Sequence, residues 1–292
     1  MAEARGLIEQ GQPDRALEKL ALVSSDPDAL YYQGVAWAKK AESAPLPTPA
    51  PVAASAPRGS LPAQATEFKP EEIQALQFFD KAAAAQPNEA RSYLALAELL
   101  GPHALRSHGN VDAARKRPAP RGSQAAPEPG PAAVSQGQDF SVDRVVRAYE
   151  MAVRNSPDSP APIEAMIAFA TKAGRLDAAE DGYRELIKRE TEKPAVPLAR
   201  YGDFLARDKK DIPAAIEQYS QALIWLPDDE QIRGKIADIY MAMGAADLAK
   251  TQYASAEVRF KTAQKYITDR SSPRGLQLQE YVGRIRAIRD GR

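Results

Sequence analysis

Residues able to do chemistry are scarce in this chain. Two histidines occur, His103 and His108, five positions apart in a proline-rich stretch. Imidazole is the usual general base and the commonest metal ligand, but two imidazoles with no carboxylate pair beside them make a poor coordination set. Cysteine is absent, which removes disulfides, thiolate metal sites, iron–sulfur ligation and a thiolate nucleophile, and leaves the redox compartment open. Glu164, Asp203 and Asp238 have the right groups for acid–base work. No nucleophile, phosphate loop or metal set accompanies them, and carboxylates on helix surfaces are usually solvated. The expectation is a protein that is not an enzyme, with no catalytic residue, metal, cofactor or small-molecule substrate.

A basic run, Arg115, Lys116 and Arg117, raises the question of an anionic partner. Thirty-nine Lys+Arg balance thirty-nine Asp+Glu, so no overall field draws nucleic acid or an anionic bilayer to the chain. The run reads first as a solvated loop. Nucleic acid or an anionic surface is the alternative partner class, and a binding constant that falls steeply with salt is its mark.

The elements that carry these groups follow from composition and pattern. A chain of 292 residues, 44% hydrophobic and 27% charged, suits one large domain, two ordinary ones, or a long repeat array. The start, MAEARGLIEQGQPDRALEKL, has charges every few positions and no apolar core of the secretory kind. The uncharged stretch from Ser43 to Pro57 is broken by prolines and cannot span a bilayer. A soluble protein is expected, cytoplasmic by default and periplasmic if a signal precedes this chain.

Thirteen of the twenty-four prolines fall within residues 41–70 and 101–140. Those segments are otherwise rich in Ala, Ser, Gly and Gln, a composition of bacterial character that buries too little apolar surface to offset the entropy of ordering. They read as disordered insertions at 43–68 and 101–139. Elsewhere, apolar residues recur at i, i+3, i+4 and i+7 over 12–16 positions, the period of amphipathic helices.

A repeat underlies these helices. Gly174–Ile187 (GRLDAAEDGYRELI) aligns with Gly244–Glu257 (GAADLAKTQYASAE), each with Gly, Ala five residues later and Tyr four after that. The Ala-x-x-x-aromatic step recurs at Ala75/Phe79 and Ala215/Tyr219, and in substituted form at Val145/Tyr149 and Ala16/Leu20. Small residues follow at Ala82, Ala152, Ala222 and Ala256, and prolines at Pro87, Pro157 and Pro227, with Pro27 one residue early. Successive first members from Val145 onward are 34, 36 and 34 residues apart, and the earlier gaps of 59 and 70 exceed 34 by 25 and 36, close to the lengths of the two insertions.

A 34-residue unit of two helices, with Gly in the turn and Pro after the second helix, resembles the tetratricopeptide repeat family. The resemblance implies an all-α, right-handed superhelical solenoid of antiparallel helix pairs with a C-terminal capping helix. Its repeats would fall at about 1–26, 27–87, 88–157, 158–193, 194–227 and 228–268, with the cap at 272–290. Glycine at Gly11, Gly174 and Gly244 would take the left-handed conformation that ends each first helix. First helices are placed at Pro27–Ala41, Glu89–Leu100, Ala161–Ala173, Val196–Arg207 and Glu230–Met243. Gly34, Ala97, Gly202 and Ala237 stand where the family keeps a small residue, and Ile167 departs from that pattern.

The resemblance also implies a protein-binding scaffold or adaptor, gripping an extended peptide or partner helix on a concave face lined by first helices. Family spacing puts Tyr31, Val35, Arg91, Leu94, Glu98, Glu164, Ala168, Lys172, Ala199, Asp203, Arg207, Gly234, Asp238 and Met241 on that face. These positions carry no Asn and little Lys, which argues against capture of chaperone C-terminal carboxylates. Both insertions emerge at the turn between the helices of their unit, on one edge. The second helix of the last unit would run from Ala246 to about Ile267, and Ser272-Pro273 would start a final helix with Leu278, Tyr281, Val282, Ile285 and Ile288 on one side. Arg284, Arg286 and Arg289 on its other side read as solvating charge at a helix C-terminus. The first helix is short by about four residues relative to the later ones, which leaves open a short first unit or a segment upstream.

Overall fold

The computed structural model describes residues 1–45, 68–115 and 141–291, without the side chains of 108–115. Among these residues the chain forms thirteen α-helices and no strand. They are α1 (Ala2–Glu9), α2 (Pro13–Ala21), α3 (Pro27–Ser43), α4 (Pro70–Ala85), α5 (Ala90–Arg115), α6 (Val142–Arg154) and α7 (Ala161–Lys172). There follow α8 (Leu176–Arg189), α9 (Ala195–Phe204), α10 (Ile212–Trp225), α11 (Glu230–Ala249), α12 (Tyr253–Gln264) and α13 (Pro273–Arg289). A π-helical turn, Leu205–Lys209, extends α9 and closes on Lys210 at φ 60°.

The chain divides within α8 into two compact units, Met1–Ala179 and Glu180–Arg292. In the first, each helix from α1 to α7 packs mainly on its sequence neighbour, with lighter contacts between α1 and α3, α3 and α5, and α5 and α7. In the second, α9 packs on α10, α10 on α11, α11 on α12 and α12 on α13. Each unit is thus a helical repeat, with its core built between consecutive helices.

Local chemistry sets the helix starts. Asp26, Ser141, Asp211, Asp229 and Ser272 each accept a hydrogen bond from a backbone amide two or three residues on, satisfying donors that the first turn leaves unpaired. Helices α4, α6 and α10 end two or three residues before Pro87, Pro157 and Pro227. Gly11 and Gly174 take φ of 72° and 69°, the left-handed turn expected of them.

The close approach within a pair rests on a small residue facing a ring. A Cβ on Gly34 would lie 2.6 Å from the Phe79 ring, on Gly202 2.7 Å from Tyr219, and on Gly244 2.7 Å from Phe260. The ring sits in the second helix between two small or apolar residues that are almost wholly buried: Ala75 and Ala82, Val145 and Ala152, Ala215 and Ala222, Ala256 and Ala263.

Three expectations do not hold. Gly244 is not a turn: α11 runs through it to Ala249, and the left-handed residue is Thr251 at φ 59°. Ala249 is exposed and Tyr253 is 38% exposed, whereas Ala256, Phe260 and Ala263 are buried. The last repeat therefore sits seven residues later than the alignment placed it, and Gly244 rather than Ala237 meets the ring. Seven residues are nearly two whole helical turns, so the wrong register presents the same face. Buried Asp247 on α11, paired with Arg259 on α12 at 2.6 Å, fixes the true one. Third, α5 continues through Pro102 to Arg115, so 101–115 is helix and not part of an insertion. Alanine and leucine favour that continuation, and Leu100, His103 and Ala104 are buried. Of the expected insertion 43–68, Ser43 ends α3 and Phe68 is packed on His103, and the expected disorder of 46–67 and 116–139 lies outside the described residues, as do the side chains of His108 and of the Arg115–Arg117 run. At the cap, Ser272-Pro273 opens α13 as expected, and Leu278 and Ile285 join Met241, Ala256, Phe260 and Ala263 in one core.

Gly244→Ala is expected to cost about 1–3 kcal/mol, the usual cost of overpacking, and Gly244→Ala with Phe260→Leu to recover part of it. Urea denaturation of the two variants checks this; a stabilised Gly244→Ala would contradict the close contact.

Candidate functional site

Position along each first helix decides which residues stay outside the core. On α7 the buried residues are Pro162, Ile163, Met166, Ile167, Phe169 and Ala170. The residues left exposed, Ala161, Glu164, Ala168 and Lys172, recur at helical spacing and form one stripe. Three of the expected groove residues are therefore on the open face of α7. On α5, Arg91 and Leu94 are half-buried and Glu98 is exposed, and on α3 Tyr31 and Val35 are half-buried. Val35 packs against the core between α1, α2 and α3, where Ile8, Ala16 and Ala36 are buried.

Charge on these faces is organised between neighbouring first helices. Arg91 of α5 pairs with Asp28 of α3, and its guanidinium lies 4.8 Å from the centre of the Tyr31 ring. In the second unit, Lys235 of α11 donates to both oxygens of Asp203 on α9 at 2.7 and 2.6 Å. The Tyr219 hydroxyl donates to the same carboxylate at 2.7 Å, and burial together with that bond pushes the phenol up. Arg274 of α13 grips Asp238 of α11 through Nε at 2.5 Å and Nη2 at 2.8 Å. Its guanidinium crosses Gly234 so closely that a Cβ there would lie 2.7 Å away.

The remaining expected groove residues are placed less uniformly. Ala199 is half-buried, and exposed Arg207 in the π-turn pairs with Asp208 at 3.1 Å. Gly234 is covered by Arg274. Met241 is not on the open face: it is 5% exposed within the core of α11, α12 and α13, because α11 is longer than its repeat and α13 packs over that turn. Asp28, Lys235 and Arg274 complete the charged rungs, and no motif in the sequence marks them. A second polar cluster joins Glu180, Tyr201 and Lys209: the Tyr201 hydroxyl donates to Glu180 at 2.8 Å and Lys209 to its other oxygen. Burial and this bond push Tyr201 up to about 12.

Glu98 is different. It is exposed, yet protein flanks it closely enough for burial to raise its carboxyl above the usual 4.5. Its charge is felt at Tyr31 and Tyr149, and Tyr149, pushed up mainly by burial, reaches about 12.

His103 is a packed core residue. The ring, 5% exposed, stacks on Phe68 with centroids 3.7 Å apart. Nε2 lies 3.3 Å from a Glu72 oxygen, and Arg106 bonds Nδ1 at 2.8 Å. Burial pushes the imidazole down from 6.5, against the pull of Glu72. Close by, Lys69 donates to the carbonyls of Ala41 and Ala44 at 2.5 and 2.6 Å, tying the two ends of the first insertion together where α3 stops.

No family model matches this sequence, and no curated protein matches it. Solved structures with a similar arrangement include MamA 41-end from Desulfovibrio magneticus RS-1, 13% identical, covering 78% of this chain and 93% of that one at a TM-score of 0.40. The thermophilic TPR protein TTC0263 of Thermus thermophilus is 15% identical, with 80% and 94% covered and a TM-score of 0.37. The human IFIT1 dimer with PPP-AAAA is 14% identical, with 98% of this chain but 53% of that one covered and a TM-score of 0.38. With TM-scores below 0.5, none of these carries an argument about this chain, whose all-α repeat rests on its own geometry.

The depressed pKa of His103 fixes the sign of a pH effect. A base held neutral by burial contributes its full stability above its unfolded value near 6.5, and that contribution is lost as pH falls through the lower folded value. The melting temperature is expected to fall as the pH drops below about 6.5, and to fall less in His103→Phe. An identical slope in both proteins would contradict the burial of this ring.

Proposed function

We propose that this chain is a non-enzymatic protein-interaction scaffold that binds an extended peptide or a partner helix along the open faces of its first helices. The observation that carries this reading is the stripe on α7. Ala161, Glu164, Ala168 and Lys172 stay exposed at helical spacing while Pro162, Ile163, Met166, Ile167, Phe169 and Ala170 are buried. Arg91, Leu94 and Glu98 form the corresponding face on α5. Small and charged side chains on a rigid helix suit recognition of a partner by polar contacts and shape.

Two features support binding over chemistry. The charged residues are mostly engaged with one another, as at Asp28 with Arg91 and Asp203 with Lys235, and a carboxylate held in an ion pair is a poor general base at neutral pH. Of the two histidines, His103 is packed against Phe68. No helix among the described residues is long and apolar enough to cross a membrane.

Photo-crosslinking residues placed in the source cell at Ala168 and Lys172 are expected to capture one protein partner. The same residues at Lys81 and Glu150, exposed on the second helices α4 and α6, are expected to capture none. Capture from the second helices alone would contradict the reading, and so would binding to nucleic acid that falls steeply with salt.

A further inference from the structure

Two repeats of this chain carry the same pair of polar residues at equivalent places, and they differ in one corner. In the second unit, Asp203 follows the small residue Gly202 on the first helix. The ring in the second helix is Tyr219, and Lys235 on the next first helix closes the triangle. Lys235 donates to both Asp203 oxygens, the Tyr219 hydroxyl donates to one of them, and the Lys235 ammonium lies 5.7 Å from the centre of the Tyr219 ring. In the first unit, Glu98 follows the small residue Ala97, and the ring is Tyr149. Lys235 stands sixteen residues beyond Tyr219, and sixteen residues beyond Tyr149 stands Ala165. The lysine is replaced by a methyl group.

Both tyrosines are buried, at 2% and 6% exposure, and both acids are on the open side of their helix. Where the ring lacks a hydroxyl, the acid is missing too: Val35 precedes Phe79 in its repeat and Ala245 precedes Phe260. Among the described residues no cation pairs with Glu98 and no hydrogen bond joins it to the Tyr149 hydroxyl, whereas Asp28, Asp203 and Asp238 each hold a cation of the chain. The charge of Glu98 is felt at Tyr31 and Tyr149, and its carboxyl is raised by burial. A carboxylate partly removed from water without a counter-ion gains most from a cation brought by another molecule. The ring beside it adds attraction for an ammonium over its face.

We propose that Glu98, Tyr149 and the small residue Ala165 form an ammonium-binding site for a lysine side chain of the protein partner. The lysine would take the place that Lys235 holds in the other repeat. The proposal rests on the scaffold reading above and names the chemistry of the partner: a segment presenting a lysine toward α5 and α6, with an alkyl stem that fits over Ala165. Lysine is named because the cation in the template rung is Lys235, whose ammonium donates to both Asp203 oxygens and lies 5.7 Å from the centre of the Tyr219 ring.

The test uses the full chain and n-butylammonium, the lysine side chain alone, and follows the carboxyl carbon of Glu98 by NMR, assigned by its loss in Glu98→Gln. In the wild type the Glu98 carboxyl is expected to titrate above 4.5 and to fall below it as butylammonium saturates the site. In Ala165→Lys the cation is supplied within the chain, so the carboxyl should already titrate low and the response to butylammonium should vanish. Ala165→Met, which matches the volume without the charge, should leave the carboxyl raised. Three results would overturn the proposal: a wild-type Glu98 that titrates below 4.5, one that ignores butylammonium, or an equal response in Ala165→Lys. Glycinamide, an α-amine probe, should bind more weakly, and tighter binding would overturn the assignment to a lysine side chain. The titration needs no partner. If butylammonium leaves Glu98 unmoved while crosslinks at Ala168 and Lys172 still capture a protein, the lysine site fails and the scaffold reading stands.

Discussion

Two helices approach closely only where one of them gives up its side chain. In this chain the first helix of a pair offers Gly34, Gly202 or Gly244, and the second offers Phe79, Tyr219 or Phe260 to fill the space. Glycine inside a helix costs roughly 1 kcal/mol relative to alanine, and that cost is tolerable because a whole aromatic ring is buried in return. The contact also fixes rotation. Once glycine faces the ring, every other residue of the first helix has its orientation decided, including which ones remain on the open face.

The polar chemistry follows from that rotation. The residue after the small one lands at the rim, where Asp203 and Glu98 stand, and a tyrosine ring places its hydroxyl against the same rim. Ion pairs then link one first helix to the next, as Asp203 to Lys235 and Asp238 to Arg274. Asp80 with Arg144 does the same between second helices α4 and α6. Half-exposed pairs of this kind contribute at most about 1 kcal/mol each, so they add little to stability. Their effect is to neutralise the faces locally, and equal numbers of acidic and basic residues are the outcome in composition. Against such a neutral background an acid without a cation, Glu98, stands out as a place for recognition.

Much of this was legible in the sequence because the contact repeats. Ala-x-x-x-aromatic-x-x-Ala marks the second helices, Gly11 and Gly174 mark turns, and proline marks the ends. The final register was not legible, because Ala249, Tyr253 and Ala256 imitate Ala256, Phe260 and Ala263 one heptad early. Contacts separate them: Gly244 faces Phe260, and Asp247 pairs with Arg259. Nor did composition reveal that α5 passes Pro102 and buries His103: the proline suggested a loop, while packing against Phe68 and Glu72 decided otherwise. Of the open-face residues, those on α5 and α7 were assigned through the spacing of the family that the repeat resembles. Gly234 and Met241 were misplaced because the arrival of α13, a contact remote in sequence, covers them.

The orientation of the first helices carries everything else, and a chain without cysteine offers a direct reading of it. Single cysteines introduced along α7 can be labelled with a soluble thiol reagent and their rates compared. Fast labelling at Ala161, Glu164, Ala168 and Lys172, with slow labelling at Ile163, Ile167 and Ala170, is the expected result. Rates that are uniform along the helix, or fastest at Ile163 and Ile167, would contradict the account.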